Sequence, residues 1–225
     1  MTILFAGDPH GNFSPILRAC LARPPGVLVI VGDLDCPRPV TEIFAPVLER
    51  GWRVRWITGN HDCETEKAYD NLVTACPEGM LGPQVAVLEG VRFAGLPGMF
   101  KPSVWSPPTT SEEAQADPPR FQDRAAFLAS LPPARLWRGG LPLWHRDTIF
   151  PEDARRLSAL RFDVLVTHEA PSCHRHGFPA IDAIAGAGGA RLIVHGHHHE
   201  SYDAVLPNGA AVRGLGLSEC WDMPG

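Results

Sequence analysis

The sequence predicts an α/β fold whose functional side chains gather along the C-terminal edge of parallel strands. Three observations predict it. Apolar, strand-like runs alternate with helix-like segments through most of the 225 residues. The runs 2–7, 26–31 and 53–58 each meet a glycine and then an Asp, Asn or His. A later apolar run, Leu192–Val194, feeds into His195-Gly196-His197-His198-His199, which holds four of the chain's ten histidines. Parallel strands present their C-terminal ends along one edge, so residues far apart in sequence can converge there.

The elements follow in order. Residues 2–7 read as a first strand and not a signal peptide, because they carry no basic segment and no long apolar one. Phe13–Leu21 is predicted helical, with Ser14 or Asn12 as N-cap and Pro15 in the first turn. Val27–Val31 is apolar without a break, as a strand buried on both faces requires. Residues 40–50 read as a helix, and 53–58 as a third strand. Residues 64–76 read as helical. Val85–Leu88 and Val91–Ala94 flank Glu89-Gly90 and predict a hairpin set apart from the first three strands. Six prolines between Pro97 and Pro119 mark a loop-like insertion, taken to extend over about 97–145 of a single domain spanning 1–225. Asp123–Leu131 is a short helix stopped by Pro132-Pro133. Residues 136–149 resist assignment. Pro151–Leu160 reads as a helix. Residues 162–167 are a strand ending at His168, and 180–185 a helix. Residues 202–206 and 210–215 flank Asn208-Gly209, the clearest hairpin signal in the chain.

Composition narrows the function classes. Hydrophobic residues make up 44% and charged residues 20%, with a net charge of −5, as in an ordinary globular protein. No basic stripe runs along the chain, so an extended nucleic-acid surface is not expected, although a compact phosphate site is compatible with this balance. No stretch approaches a membrane span. The six cysteines are scattered without a C-x-x-C pair; free thiols and a cytoplasmic location are expected.

The donors at the predicted strand ends are Asp8, His10, Asp33, Asn60, His61, His168, His195, His197 and His199. Strand alternation would put His195, His197 and His199 on one side and His198 on the other. An internal cluster after an apolar run is not a purification tag, and its partners at the other strand ends argue against a chance surface grouping. Carboxylate, amide and imidazole donors without cysteine suit divalent Mn, Fe, Co, Ni or Zn. They are too many for one tetrahedral ion. Two ions sharing a carboxylate is the economical arrangement, about 3.5–4 Å apart in enzymes that cleave phosphate esters.

In order, Asp8-x-His10, Gly32-Asp33, Gly59-Asn60-His61-Asp62, His168 and Gly196-His197-x-His199 resemble the calcineurin-like metallophosphoesterase superfamily. The resemblance implies a four-layer α/β/β/α sandwich of two mixed sheets flanked by helices, with a dimetal site at the strand ends. It implies that Asp8, His10 and His199 hold one ion, that Asp33 bridges, and that Asn60, His168 and His197 hold the second. The ions would be manganese foremost, with Fe, Ni or Zn as alternatives. His61 would face the substrate and protonate the leaving group, oriented by Asp62, while a hydroxide shared by the ions attacks phosphorus. The implied activity is hydrolysis of a small-molecule phosphate ester, as a phosphodiesterase or broad phosphoesterase. A nucleotide or sugar phosphomonoesterase is the alternative within hydrolases, and a non-catalytic metal-binding scaffold the alternative outside them. Oligomeric state is not readable from the sequence. The run Leu34-Asp35-Cys36-Pro37-Arg38-Pro39, and Asp62 in place of a Glu, depart from the protein Ser/Thr phosphatase branch and from close dinucleotide tetraphosphatase relatives.

Weaker signals complete the reading. His195 is expected in the core or behind a ligand, and His198 turned away from the site. Trp105 and Trp144 in the insertion, and Arg175 on the loop after His168, are candidate substrate contacts; packing of the tryptophans is the alternative role. Cys63 and Cys173 are expected to be incidental thiols.

Overall fold

In the computed structural model, which describes residues 2–109 and 118–224, the strands form two sheets. The first contains β1 (Ile3–Ala6), β2 (Val27–Ile30), β3 (Arg53–Trp56) and β10 (Cys220–Asp222), ordered β10-β1-β2-β3. β1, β2 and β3 are parallel, and β10 runs antiparallel to β1. The second contains β4 (Val85–Leu88), β5 (Val91–Leu96), β6 (Val164–Thr167), β7 (Leu192–His195), β8 (Tyr202–Val205) and β9 (Ala211–Gly214), ordered β4-β5-β6-β7-β9-β8. Both predicted hairpins therefore join this second sheet, each supplying an antiparallel edge. In the later one, Gly209 takes φ +87 and donates its N–H to the Leu206 carbonyl, a turn that glycine closes without strain.

The period-2 alternation of the strands builds the layers. Ile3, Phe5, Val27, Val29 and Val31 point inward and meet Phe93, Val164, Val166, Val194 and Leu215 of the facing sheet. Their neighbours Leu4, Ala6, Leu28 and Ile30 point outward against Ile16 and Cys20 of α1 (Ser14–Leu21), Val40 of α2 (Val40–Ile43) and Val47 of α3 (Ala45–Leu48). On the far side, Leu165, Ile193 and Val212 meet Leu157 of α6 (Pro151–Ser158) and Ile181 and Ile184 of α7 (Pro179–Gly188). The result is the α/β/β/α sandwich of two mixed sheets.

Two helix expectations change. The helix over 40–50 is split at Phe44, because Pro46 has no N–H to give the Glu42 carbonyl. The first turn of α1 takes no side-chain cap, so Asn12 does not cap it, and exposed Asn12 lies just before the N-cap residue Phe13. The segment 64–76 is helical as α4 (Glu66–Tyr69) followed by a wider turn over Asp70–Thr74. Within the expected insertion, residues 110–117 lie outside the described residues. Its described parts pack Val104, Leu141 and Phe127 of α5 (Arg124–Ala129) on Phe150. Among the described residues no helix is long and apolar enough to cross a membrane.

Candidate metal centre

The loops leaving β1, β2, β3, β6 and β7 open on the same edge of the sandwich and bring seven of the predicted donors together. Among the described residues, eight non-glycine residues have positive φ, and five of them stand here: His10 (+41), Asp33 (+48), Asp35 (+48), His197 (+69) and His199 (+54). Left-handed backbone outside glycine is uncommon, and its concentration at one edge marks a place where side-chain direction overrides local backbone preference. Two glycines allow the close approach. A Cβ on Gly59 would collide with Asp33 Oδ1 and His168, and one on Gly196 with Asp8 Oδ1.

The donor atoms face one another in two groups. His10 Nε2 lies 3.1 Å from His199 Nε2, and Asp8 Oδ2 lies 3.4 Å from the latter. His10 gives its Nδ1–H to Asp35 (2.8 Å), so Nε2 presents a lone pair to the group. In the second group, His168 Nε2 is 3.0 Å from Asn60 Oδ1, 3.2 Å from His197 Nδ1 and 3.3 Å from Asp33 Oδ2. His168 donates Nδ1–H to the Val31 carbonyl (3.0 Å), which again leaves Nε2 as an acceptor. Acceptors converging on acceptors repel unless a cation or a proton lies between them. Asp8 Oδ1 is buried without a hydrogen-bond partner, so the carboxylate that brings Oδ2 to the first group is left under-satisfied by the protein alone. The donor chemistry therefore fits divalent ions. Asp33 is also close to His10 Nε2 (3.7 Å), which places it between the two groups.

Electrostatics follow from the same geometry. Burial works against charge on His168, but Asp33, by its charge and its hydrogen bond, outweighs this and raises the imidazole to about 10; a proton takes up the acceptors in the absence of a cation. Burial likewise opposes ionisation of Asp33, yet the His168 charge and the His61 N–H hold it below the usual carboxylate range. Burial and then the His168 charge push His197 down to about 4, leaving it a neutral nitrogen donor.

His61 stands at the open side of the centre, with its ring centroid 5.1 Å from that of His10. His61, His10 and Asp33 are near enough for their donor atoms to form a third candidate group. Asp62 does not orient it. The Asp62 side chain is fully buried and turned underneath, where Oδ1 accepts the N–H groups of Leu34 (2.8 Å) and Asp35 (3.1 Å), and Oδ2 that of Gly59 (2.9 Å). It ties the loop after β2 to the loop after β3. Burial and the neighbouring Asp33 push its pKa up to about 7, against the pull of these donors toward the anion. The carboxylate beside His61 is that of Glu64, 3.0 Å from Nδ1.

The remaining histidines also depart from simple alternation. β7 ends at His195, and the positive φ of His197 and His199 abolishes the strand periodicity beyond it. His195 is consequently not with His197 and His199. It is buried, bonded to the Gly196 carbonyl (3.0 Å) and the Tyr202 hydroxyl (2.6 Å). His198 stacks on His174 at 4.0 Å between centroids, and with His197 and Glu169 it brings donor atoms close enough for a further candidate group. Glu169, next to His168, is buried, accepts the Phe100 N–H (3.2 Å) and lies 3.9 Å from His197 Nε2.

The three expected substrate contacts fare differently. Trp105 packs edge-to-face on Phe100 (5.0 Å) and is partly buried at the apolar layer beneath the insertion, the packing role given as the alternative to a substrate contact. Trp144 is 54% exposed, with the Lys101 ammonium 4.1 Å from its ring centroid; Lys101 itself is buried and paired with Asp147 (2.6 Å). Arg175 is exposed and paired with Glu200 (3.2 Å). The cysteines are free thiols; burial raises Cys63 well above the usual range, and Cys173 is exposed.

A family model described as calcineurin-like phosphoesterase matches residues 1–201. An uncharacterised protein of Haemophilus influenzae is 37% identical over 201 residues, covering 89% of this chain and 84% of that one. Among solved structures, phosphopantetheinyl hydrolase from Mycobacterium tuberculosis superposes with a TM-score of 0.52 at 19% identity, covering 96% of this chain and 90% of the other. A Thermus thermophilus protein gives 0.58 at 13% identity, covering 96% and 89%. These two likenesses concern the fold.

Proposed function

The chain belongs to the calcineurin-like phosphoesterase family, and on that premise we propose that it hydrolyses a small-molecule phosphate ester, with phosphodiesters or a broad range of phosphoesters as substrates. The observation that carries the reading is the pair of facing acceptor groups, with an exposed imidazole at their rim. Asp8, His10 and His199 would hold one divalent ion, Asn60, His168 and His197 a second, and Asp33 would serve both. Manganese is the first choice among metals. When bound, such ions neutralise phosphoryl oxygens and lower the pKa of a water molecule.

The chain's own residues supply the rest. His10 and His168 are each committed through Nδ1–H to a fixed acceptor, so their Nε2 atoms are oriented before any ion arrives. His61 is 40% exposed and free to meet the substrate from solvent. An imidazole there can hand its proton to the departing alkoxide oxygen, the one step for which the donor set needs a group outside it. Trp144 and Arg175 stand on exposed surface as candidate contacts for the alcohol portion of the ester.

Initial rates of Mn-loaded protein on matched aryl phosphomonoester and phosphodiester substrates, with His61→Ala beside them, test the proposal. A diester rate exceeding the monoester rate and lost in the variant supports the diesterase reading. A monoester preference, lost in the same way, moves the activity to nucleotide or sugar phosphates. Two ions bound with neither ester turned over under Mn, Fe, Ni or Zn would count against hydrolysis and favour a metal-binding scaffold.

A further inference from the structure

We propose that Asp35 is the positioning residue for one ion of the pair, setting the affinity of the Asp8–His10–His199 group and not that of the other. The inference rests on the reading of these donors as a metal centre and names a residue on which the centre depends.

The two groups fix their imidazoles differently. His168 is held by a backbone carbonyl, Val31 O, inside the core. His10 is held by a carboxylate, with Asp35 Oδ2 2.8 Å from Nδ1. A carboxylate behind a metal-binding imidazole fixes the tautomer and increases the electron density on the far nitrogen, and loss of such a partner typically weakens metal affinity about 10–100-fold. A neutral carbonyl does less. The first group thus has an imidazole backed by a carboxylate at hydrogen-bond distance, whereas in the second the nearest such carboxylate, Glu169, stands 3.9 Å from His197 Nε2.

Asp35 is itself held in place. Its backbone is left-handed (φ +48), and its N–H is bonded to Asp62 Oδ1. The His10 loop is joined to the same turn by His10 N–H to the Asp33 carbonyl (2.9 Å) and Gly11 N–H to the Leu34 carbonyl (3.0 Å). These backbone bonds fix the loop without the Asp35 side chain. That side chain is 34% exposed, so water can replace its bond without leaving a buried group unsatisfied. Removing the carboxylate charge should therefore act on the ion and leave the fold intact. Asparagine is the suitable replacement, since it tolerates left-handed backbone and has the same shape.

The test is titration of metal-free protein with MnCl2 by calorimetry, with free Mn2+ read in parallel by electron paramagnetic resonance, for the parent and for Asp35→Asn. The expected result is two binding steps in the parent, one of which weakens about 10–100-fold in the variant while the other is unchanged. Long-range proton–nitrogen correlation spectra should show the His10 Nδ1–H tautomer in the metal-free parent and a mixture of tautomers in the variant. Equal affinity of both proteins for both ions would overturn the role of Asp35 alone. A parent that binds no Mn2+ would overturn the metal-centre reading and this proposal with it. Circular dichroism of the metal-free variant checks that the fold is retained, and weakening of both steps together would also refute a selective role.

Discussion

Asp62→Asn separates two roles for a carboxylate that lies next to the proposed proton donor. If Asp62 oriented His61, the substitution would slow turnover and leave stability alone. The structure assigns it the opposite task, because its two oxygens accept three N–H groups from two loops. An asparagine can keep its one oxygen toward Leu34 and Asp35, but its NH2 then faces the Gly59 N–H, donor against donor. A buried N–H left without an acceptor costs about 1–3 kcal/mol, and because burial and Asp33 already disfavour the Asp62 anion, no charged-acceptor gain is added to that loss. For a chain of this length that corresponds to a fall in Tm of roughly 2–12 °C. Urea unfolding of the metal-free protein measures it without interference from bound ions. Among folded molecules, His61→Ala should slow esters with poor leaving groups far more than aryl esters, because only the former need protonation, whereas Asp62→Asn should slow both alike. A variant of parental stability whose rate loss mirrors His61→Ala in its dependence on leaving group would refute this reasoning.

Two further outcomes are expected. Burial lowers His195 to about 4, whereas the unfolded value is about 6.5. The unfolded chain thus binds the extra proton between those values, so this stabilisation is complete above about pH 6.5 and is lost as the pH falls toward 4, with an upper bound of about 3 kcal/mol. Urea unfolding of the metal-free protein from pH 7.5 to 4.5 should show the decline, and a His195→Leu, Tyr202→Phe double variant a shallower one; equal slopes would contradict it. Gly196→Ala would push a methyl group into Asp8 Oδ1 with Val31 Cγ2 2.8 Å behind it, an overpacking expected to cost about 1–3 kcal/mol. Calorimetric titration with Mn2+ should show loss of the Asp8 ion in a protein that still folds, and retained affinity would argue that Asp8 is no ligand.

The layers and the donor set were legible in the sequence for the same reason. Period-2 alternation in Ile3–Val31 dictates which side chains face the second sheet, and a donor one to four residues beyond a parallel strand has little freedom except to sit near that strand's end. Asp8, Asp33, Asn60 and His168 obey this rule. The helix over 40–50 was overread because a single Pro46 weighs little in an apolar pattern but removes a specific N–H. Strand alternation failed for His195 for a related reason. It assumes extended backbone, and the chain leaves that conformation at Gly196, immediately before the residues that matter.

The groups that orient the donors were less legible, and His61 shows why. Adjacent residues in a tight turn diverge, so Asp62 is carried underneath while His61 projects outward. The Glu64 N–H closes back on the His61 carbonyl (3.2 Å), which brings the side chain three positions on beside the imidazole. Asp35 likewise reaches His10 across 25 residues only because two left-handed turns face each other. Sequence adjacency therefore predicts the ligands, which are attached to strand ends, better than it predicts their partners, which depend on the path of each loop. The same argument separates Trp105 from Trp144. Both are large aromatics in one proline-rich segment, and only the packing of Phe100 against the first, with Lys101 drawn inward to Asp147 beneath the second, decides that one is half-buried and the other is left on the surface.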